Sequence, residues 1–451
     1  MIKSINPYDQ SLLAEYPLMS EKDVDAKLAN ADLTFRSWRH TSFSERSKLM
    51  LHAAGVLEKN KDQYARTIAL EMGKVLPEAL AEVQKCADAC RYFAEHAEEF
   101  LKTEQIRTEA ARSYVGYFPT GVIVAVMPWN FPFWQVFRFA VPALMAGNVG
   151  VLKHSSNVPQ CALQIESIFR EAGFPDGAFQ TFLTENKQVE RILTSDCVQG
   201  VALTGSEKAG GKVAAIASSQ IKKSVLELGG SDPFIVLPDA DLEKTVKTAV
   251  RSRMQNAGQS CIAAKRFLVF KEIKNAFLDA FRDAIDAIKQ GDPLQDGIAM
   301  GPMARVDLAE ELEDQLKRSV EAGAVLITGG ERNGANFKPA LLDNVCPGMS
   351  AFDEETFGPL AAITTVETEE EAVRLANQSR FGLGASVWTR DFERGERIAR
   401  EIESGTVYVN SLMRSDVRMP FGGIKKSGYG RELAAAGIRE FTNMKSLVIY
   451  E

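Results

Sequence analysis

The segment GVALTGSEKAGGKVAAIASSQIKKSVLELGG, residues 200–230, contains the pattern that decides the fold. Its apolar start, 200–204, runs directly into Gly205 and Ser206, which predicts a strand followed at once by the start of a helix. Residues 224–228 predict a second strand, which ends at Gly229 and Gly230. A strand, a helix and a strand of these lengths form a βαβ unit and indicate a parallel sheet.

The same alternation extends in both directions from this segment. Residues 20–102 have helical periodicity, with a capping-box pattern from Ser42 to Glu45 at the start of one helix. Further strands are predicted at 122–127, 149–153, 233–237 and 265–270, and further helices at 133–147, 159–172, 240–256 and 273–289. We therefore predict an α/β fold with at least two domains.

Composition excludes several classes of protein. Of the 451 residues, 45% are hydrophobic and 25% charged, which is ordinary globular composition. The net charge of −7 and the lack of a basic stripe argue against nucleic-acid binding. No run of 18 apolar residues and no signal peptide is found, so we expect no membrane association. Six scattered cysteines indicate free thiols and a cytoplasmic location, and the four histidines are not at metal-ligand spacing, so we expect no metal.

Three residues are candidates for catalysis, each at the end of a predicted element. Cys261 follows a predicted helix and has small neighbours, so its thiol can lie in an open loop as a nucleophile. Glu227 ends a strand, where ligand sites of parallel sheets lie, and can act as a general base. Asn130 follows another strand and can donate its amide N–H to an oxyanion. The alternatives are a structural thiol, a carboxylate paired with Lys222 or Lys223, and a turn asparagine.

A phosphate site is predicted where the strand of the opening segment meets its helix. Gly205 and Ser206 stand at this junction, and the free backbone N–H groups of a helix start can bind a phosphate. The pattern is not G-x-G-x-x-G, so it is weak when taken alone.

Taken in order, the motifs are more specific than any one of them. Along the chain they are Asn130, Lys153, Gly205-Ser206, ELGG at 227–230, GQSC at 258–261, ETFGP at 355–359 and PFGG at 420–423. This order resembles the NAD(P)-dependent aldehyde dehydrogenase superfamily along nearly the whole chain. Within it, KHSSN at 153–157, residues 227–241 and GPMAR at 301–305 are most similar to a bacterial group of succinate-semialdehyde dehydrogenases.

The resemblance implies a role for each catalytic candidate. Cys261 would attack the aldehyde carbon to give a thiohemiacetal. Asn130 and the backbone N–H of Cys261 would stabilise the oxyanion. Oxidation by NAD(P) would leave a thioester, which water activated by Glu227 would hydrolyse to the carboxylate.

The resemblance also places a set of residues around the dinucleotide. These are Trp129, Lys153, Ser156, Gly205, Ser206, Leu228, Glu355 and Phe357. NAD-preferring members often have a glutamate where this chain has Ser156. A hydroxyl does not repel a 2′-phosphate, and Lys153 can pair with it, so we predict that NADP is accepted, with NAD as a second cofactor.

Substrate-binding residues are implied by the same resemblance. Arg138, eight residues after Asn130, is similar in position to an arginine that binds the distal carboxylate in succinate-semialdehyde dehydrogenases. A second arginine of that group is replaced here by Gln255, and Arg414 or Arg418 can substitute for it. Trp134 and Phe421 would line the aldehyde entrance. The alternative is that the arginines form salt bridges.

The implied architecture has a Rossmann-like cofactor domain, a catalytic α/β domain and a small β ribbon for oligomerisation. We predict the first from 1–100 and 120–231, the second from 232–431 and the ribbon from 101–119 and 442–451. The apolar end of the chain, 447–450, would be an exposed edge unless it is covered, so we expect a homodimer or homotetramer.

Other functions remain open at this point. The residues also allow a dehydrogenase for another short aldehyde or semialdehyde, a cofactor-free cysteine hydrolase using Cys261 and Glu227, or a non-catalytic relative of the fold. A dehydrogenase that passes the thioester to coenzyme A is a further alternative, although such relatives tend to lack a carboxylate at the position of Glu227.

Overall fold

The computed structural model describes all residues from 1 to 451 and has mixed α/β architecture. Four helices precede the first parallel sheet, as the periodicity predicts: Glu21–Trp38, Phe43–Lys59, Lys61–Met72 and Leu76–Phe100. The predicted capping box is present, since Ser42 Oγ accepts from the N–H of Glu45 and the Glu45 carboxylate accepts from the N–H of Ser42. These four helices bury one face against the first sheet and the helices around it.

The first sheet is doubly wound and has six strands. Its order from edge to edge is Gly428–Tyr429, Lys223–Glu227, Val198–Thr204, Val122–Met127, Val149–His154 and Phe179–Thr181. All neighbours are parallel except the short edge strand Gly428–Tyr429. The chain order reverses between Val122–Met127 and Val198–Thr204, so the binding crevice of such a sheet lies at the carboxyl ends of these two strands.

Helices connect the strands of this sheet and cover its faces. They are Trp134–Met145, Pro159–Glu171, Gln188–Thr194 and Glu207–Ser219. Trp134–Met145 is buried on every side, because it lies between the sheet and the long helix Leu76–Phe100. Arg138 is therefore an interior residue.

The second sheet has seven strands. Its order is Val325–Thr328, Ala340–Asp343, Leu360–Val366, Ala264–Phe270, Asp232–Val236, Gly384–Trp388 and Thr406–Val409. Only Val325–Thr328 is antiparallel to its neighbour. The surrounding helices are Leu242–Met254, Lys274–Asp286, Val306–Glu321, Ser350–Asp353, Glu369–Asn377 and Phe392–Glu401. The last helix, Ala434–Arg439, packs instead on the helices Leu76–Phe100 and Trp134–Met145 beside the first sheet. Two separate apolar clusters pack on the two faces of this sheet.

Two sequence predictions need correction here. The helix predicted at 240–256 ends at Met254 and is followed by a 3₁₀ turn, Gln255–Gly258, since Asn256 and Ala257 have left-handed φ angles of 56° and 51°. The strand Gly428–Tyr429 lies inside the range predicted for the catalytic domain, 232–431, but pairs with Lys223–Glu227 of the first sheet. The chain thus returns to the first sheet next to Glu227.

The remaining strands are short or peripheral. The last strand, Thr442–Ile449, pairs along its whole length with Arg112–Pro119, and Glu104–Gln105 completes this three-stranded sheet. The other pairs are Ile2–Ile5 with Leu12–Tyr16, Arg332–Asn333 with Asn336–Phe337, and Phe381–Gly382 with Ile424–Lys425. No helix combines the length and the apolar character that crossing a bilayer requires.

Candidate active site

Cys261 lies in a tight loop between the helix Leu242–Met254 and the strand Ala264–Phe270. Three consecutive residues of this loop, 256–258, have positive φ angles, and Gly258 (φ 70°) leaves no room for a Cβ against the carbonyl of Gly358. Non-glycine residues in this conformation cost about 1–3 kcal/mol each and are held only by strong local contacts. The N–H of Asn256 donates to Glu78 Oε2 at 2.9 Å, which is one such contact.

Hydrogen bonds from Lys265 hold the backbone on either side of the thiol. The Lys265 ammonium donates to the carbonyls of Ser260, at 3.0 Å, and Cys261, at 2.8 Å. The backbone N–H of Cys261 has no acceptor in the chain. Burial raises the pKa of the Cys261 thiol to about 12, although Arg138 and Lys265 oppose this shift. The thiol is therefore protonated at neutral pH, and a proton acceptor is needed before it can act as a nucleophile.

Asn130 is buried beside this loop. Its side-chain amide donates to the carbonyl of Gln259 at 3.1 Å, and its own carbonyl accepts from Asn256 Nδ2 at 2.8 Å. An amide has two N–H donors, so one remains for a group bound near Cys261. The structure thus places the Asn130 side chain against the loop that carries the free N–H of Cys261.

A buried ion pair that the sequence analysis missed fixes the Asn130 segment. The Lys74 ammonium donates to the Asn130 carbonyl at 3.0 Å and forms an ion pair with Glu82. The other oxygen of Glu82 accepts the N–H groups of Phe133, at 2.9 Å, and Trp134, at 3.0 Å. This pair therefore fixes both the asparagine and the start of the next helix.

Glu227 ends its strand in a buried position next to Gly422. A Cβ added to Gly422 would lie 2.6 Å from Glu227 Oε1 and 2.8 Å from the backbone carbonyl oxygen of Gly430, and the backbone contact leaves room only for glycine. Neither carboxyl oxygen of Glu227 has a hydrogen-bond partner. Burial raises the pKa of Glu227 well above its usual value, Arg138 opposes the shift, and Glu432 adds to it. The alternative pairing of Glu227 with a lysine is not supported, because Lys222 donates to backbone carbonyls and Lys223 pairs with Glu440.

Two cavities meet at Cys261. The small cavity, about 150 Å³, extends from the thiol between the helices Leu76–Phe100 and Trp134–Met145 towards the loop 412–415. The large cavity, about 900 Å³, lies on the other side of the thiol, over the first sheet. Gln135 also lines both, whereas Glu227 lines neither. The Cys261 thiol therefore lies between two compartments, each able to hold a different ligand.

The large cavity contains most of the predicted cofactor residues. It is lined by Trp129, Gly205, Ser206, Leu228, Glu355 and Phe357, together with Lys208, Lys212, Arg380 and Lys426. Four carboxylates, Glu207, Glu311, Glu354 and Glu355, also line it, so its charges balance. This cavity opens at the carboxyl ends of the strands Val122–Met127 and Val198–Thr204, between which the chain order reverses. Ser206 caps the helix Glu207–Ser219, since its Oγ accepts a hydrogen bond from the N–H of Ala209 at 3.3 Å. A volume of this size and a helix start fit a dinucleotide.

Glu355 and Phe357 lie where the large cavity approaches the thiol. Glu355 Oε1 accepts from the N–H of Gly230 at 3.0 Å and is 3.5 Å from the Lys265 ammonium. Phe357 lies edge-on to Trp129, with ring centroids 5.8 Å apart. Lys265 thus links the Cys261 loop to a carboxylate of the cofactor cavity.

Lys153 and Ser156 line a third cavity, of about 760 Å³, at the end of the strand Val149–His154. The Lys153 ammonium donates to Asn186 Oδ1 at 2.6 Å and forms no ion pair. Burial lowers the pKa of Lys153. A buried lysine without a carboxylate partner fits the 2′-phosphate of NADP.

The predicted substrate residues fall into two groups. Trp134, Arg138, Arg414 and Phe421 all line the small cavity with Cys261. The Arg138 guanidinium is already paired with Glu432 and stacks on the Phe421 ring at 4.6 Å. Arg414 is exposed and unpaired, whereas Arg418 pairs with Asp416 at 2.6 Å and lies outside this cavity. The prediction that Arg418 substitutes for the arginine replaced by Gln255 is therefore not supported.

Residues that sequence reasoning missed complete the small cavity. Lys85 and Ser415 line it, as do the carboxylates Glu78 and Glu82. Lys85 and Glu82 come from the helix Leu76–Phe100, which is far from every motif in sequence. In the sequence, the only sign of a role for these residues is that charged side chains stand next to the apolar stripe of this helix.

No group of three or more histidine, cysteine or carboxylate side chains could hold a metal ion. Cys86 and Cys90, at adjacent turns of one helix, are free and buried, in agreement with the structural interpretation of this pair.

The fold and the site define an enzyme class, in which a cysteine stands between a dinucleotide-sized cavity and a small substrate cavity. Residues 1–447 match the model of the aldehyde dehydrogenase family, and the chain belongs to this family. It is 50% identical over 451 residues to a probable succinate-semialdehyde dehydrogenase (NADP(+)) of Synechocystis sp., covering 99% of both chains.

Two further comparisons agree with this assignment. A succinate-semialdehyde dehydrogenase (NADP(+)) of Mycolicibacterium paratuberculosis is 46% identical over 455 residues, covering 99% of this chain and 96% of the other. The crystal structure of a succinic semialdehyde dehydrogenase from Streptococcus pyogenes in complex with NADP+ superposes with a TM-score of 0.98 at 35% identity, covering 100% of both chains. The family match extends over the cofactor cavity as well as the cysteine, so a cofactor-free cysteine hydrolase is not supported.

Proposed function

We propose that this chain oxidises succinate semialdehyde to succinate with NADP and accepts NAD as a second cofactor. The observation that carries the proposal is the position of Cys261 between the two cavities. An apolar cavity of roughly 150 Å³ accommodates a molecule the size of benzene, and a four-carbon semialdehyde is of this size class. The two relatives compared above are named as succinate-semialdehyde dehydrogenases, and cationic side chains line the small cavity of this chain.

The small cavity and its loop suit nucleophilic attack on an aldehyde. The Cys261 thiol loses its proton to water, its sulfur forms a bond to the aldehyde carbon, and the electron pair of the C=O π bond moves to the carbonyl oxygen, which becomes an oxyanion. Asn130 Nδ2 and the unpartnered N–H of Cys261 are the donors for this oxygen. Lys265 holds the backbone in place through the carbonyls of Ser260 and Cys261, so these donors need little reorganisation.

A nicotinamide dinucleotide would supply the hydride acceptor here, and loss of hydride from the thiohemiacetal carbon would leave a thioester on Cys261. Trp129, Ser206, Glu355 and Phe357 would hold the dinucleotide in the large cavity. Lys153 and Ser156 would receive the 2′-phosphate, since Lys153 is an unpaired cation and Ser156 adds no negative charge.

Glu227 is the base for the last step. Hydrolysis of the thioester requires removal of a proton from water, and the raised pKa of Glu227 makes its carboxylate a stronger base than an exposed one. The carboxyl has no hydrogen bonds to break before it turns towards the thioester. Water then replaces Cys261 on the acyl carbon, and succinate leaves.

The test is the rate of reduced-cofactor formation, measured by absorbance, with succinate semialdehyde and with butanal, each with NADP and with NAD. We expect a preference for succinate semialdehyde and NADP that disappears in Cys261→Ala. Equal kcat/KM values for the two aldehydes would overturn the proposed substrate. Activity that survives in Cys261→Ala would overturn the proposed chemistry.

We also propose that the chain forms a homodimer or homotetramer through the sheet of Thr442–Ile449 and Arg112–Pro119. Met444 and Tyr450 are 68% and 62% exposed at this edge, and an exposed apolar edge strand favours pairing with another chain. Sedimentation equilibrium of the wild type and of a chain that ends at residue 441 tests this. A monomeric wild type would contradict the proposal.

A further inference from the structure

Besides the exposed Arg414, the small cavity contains one cation, the half-buried Lys85, that forms no ion pair with a carboxylate of the protein. Of the charged residues that line it, Arg138 is paired with Glu432, and Glu82 with Lys74. Lys85 has no carboxylate within 4.0 Å, although it is half-buried on the helix Leu76–Phe100. A buried charge normally has a partner, because burial without one is costly. The missing partner is therefore expected to be a ligand.

The surroundings of Lys85 hold its ammonium group in a fixed position. Nζ donates to Ser415 Oγ at 2.7 Å and lies 4.0 Å from the centroid of the Trp134 ring. Trp134 Nε1 donates to the same Ser415 oxygen at 3.0 Å. The rigid indole and the serine from the loop 412–415 thus orient a flexible side chain towards the cavity.

Counting donors shows what kind of ligand fits. An ammonium group has three N–H donors, and only one of those of Lys85 is used in the chain. Ser415 Oγ accepts two hydrogen bonds, from Lys85 and Trp134, so its own O–H is left to donate. A group that only accepts hydrogen bonds and carries negative charge satisfies both residues. A carboxylate has this chemistry.

The charge balance around Lys85 supports the same conclusion. Burial lowers the pKa of Lys85 to about 8, and Arg138 adds to this shift. The nearby anions therefore do not compensate for the loss of water around the ammonium. A carboxylate bound beside it would favour the charged form.

We propose that Lys85, with the Ser415 hydroxyl, binds the distal carboxylate of the aldehyde substrate and so determines specificity for a carboxylated aldehyde. This inference rests on the function proposed above and names the cation that the function requires. Arg138, whose charge Glu432 already balances, serves as part of the cavity wall and holds Phe421.

The test compares kcat/KM for succinate semialdehyde with kcat/KM for butanal, which has four carbons and no carboxylate. In Lys85→Met we expect kcat/KM for succinate semialdehyde to fall about 10- to 100-fold, the usual effect of losing a hydrogen bond to a charged group. The value for butanal should stay within about threefold, because the chemistry at Cys261 is untouched. Lys85→Arg keeps the charge and should retain most of the preference.

Two further variants keep the test decisive. Lys85→Gln keeps the stem and a polar end, so it provides a folded alternative if Lys85→Met is unstable. Arg414→Met removes the other unpaired cation and should reduce the preference less than Lys85→Gln. If the wild type prefers succinate semialdehyde and both Lys85 variants keep that preference, the role of Lys85 is overturned while the proposed function stands. If the wild type itself shows no preference, the proposed function fails as well.

Discussion

The side-chain amide of Asn130 donates a hydrogen bond to the backbone carbonyl of Gln259 at 3.1 Å. This contact joins a loop of the first sheet to the loop that carries Cys261, two residues later. It sets the distance between two donors, the Asn130 amide and the N–H of Cys261, that come from different parts of the chain. The geometry of the oxyanion site therefore depends on contact between the two sheets.

Replacing Asn130 by alanine should remove one oxyanion donor. We expect kcat to fall about 10²- to 10³-fold, as is usual for loss of one such donor. Binding of NADP should remain, because Asn130 does not hold the cofactor in this proposal. Steady-state kinetics and fluorescence titration with NADP test this, and an unchanged kcat in a folded variant would contradict the role.

The ion pair of Lys74 and Glu82 should affect both stability and rate. Each single variant, Lys74→Met or Glu82→Gln, leaves a buried charge without a partner and should cost about 3–5 kcal/mol in the free energy of unfolding. The double variant Lys74→Met/Glu82→Leu should recover part of that stability but not kcat, because Asn130 and Trp134 lose the groups that hold them. Urea unfolding and kinetics of the three variants test this. A double variant with the kcat of the wild type would show that the pair has no positioning role.

Replacing Glu227 by glutamine should block hydrolysis while leaving the first half of the reaction intact. We expect a burst of about one reduced cofactor per active site, followed by a steady rate that is about 10²- to 10⁴-fold lower than in the wild type. Rapid-mixing absorbance measures both phases. The absence of a burst would place Glu227 in the first step instead.

The pH dependence follows from the raised pKa of Glu227. The base must be ionised, and its pKa in the folded protein lies above the ordinary value, so hydrolysis should slow as pH falls through that raised pKa. Activity should therefore rise with pH from the acidic range upwards. In Glu227→Gln, the pH profile of the steady rate should lack this fall in activity at low pH. If both proteins show the same fall, it arises from the titration of another group.

Ser156 should control the choice between the two cofactors. In Ser156→Glu, a carboxylate beside the 2′-phosphate should raise the KM for NADP at least tenfold, or about 1.4 kcal/mol, through repulsion. The KM for NAD should not rise, because NAD has no phosphate there. Ser156→Ala is the matched control and should change the preference little. Equal effects on both cofactors would contradict this role.

Several features of the site followed from local sequence. Three strands end at Met127, Thr204 and Glu227, as predicted from short apolar runs that stop at proline or glycine. These strand ends place Asn130, Ser206 and Glu227 at one edge of the sheet. Such patterns are local, because a strand buried on both faces needs continuous apolar residues. The turn before Cys261 was not predicted, since its left-handed residues are held by contacts with Glu78 and with the segment at Gly358.

The order of strands and helices and the family could be predicted from the sequence alone, because both depend on residues that are close together in the chain. The charge balance of the small cavity could be read only from the folded structure. Lys85 and Ser415 are 330 residues apart, and Arg138 and Glu432 meet across a similar separation. Whether a cation is paired or free depends on such contacts between distant segments, and no local pattern records them.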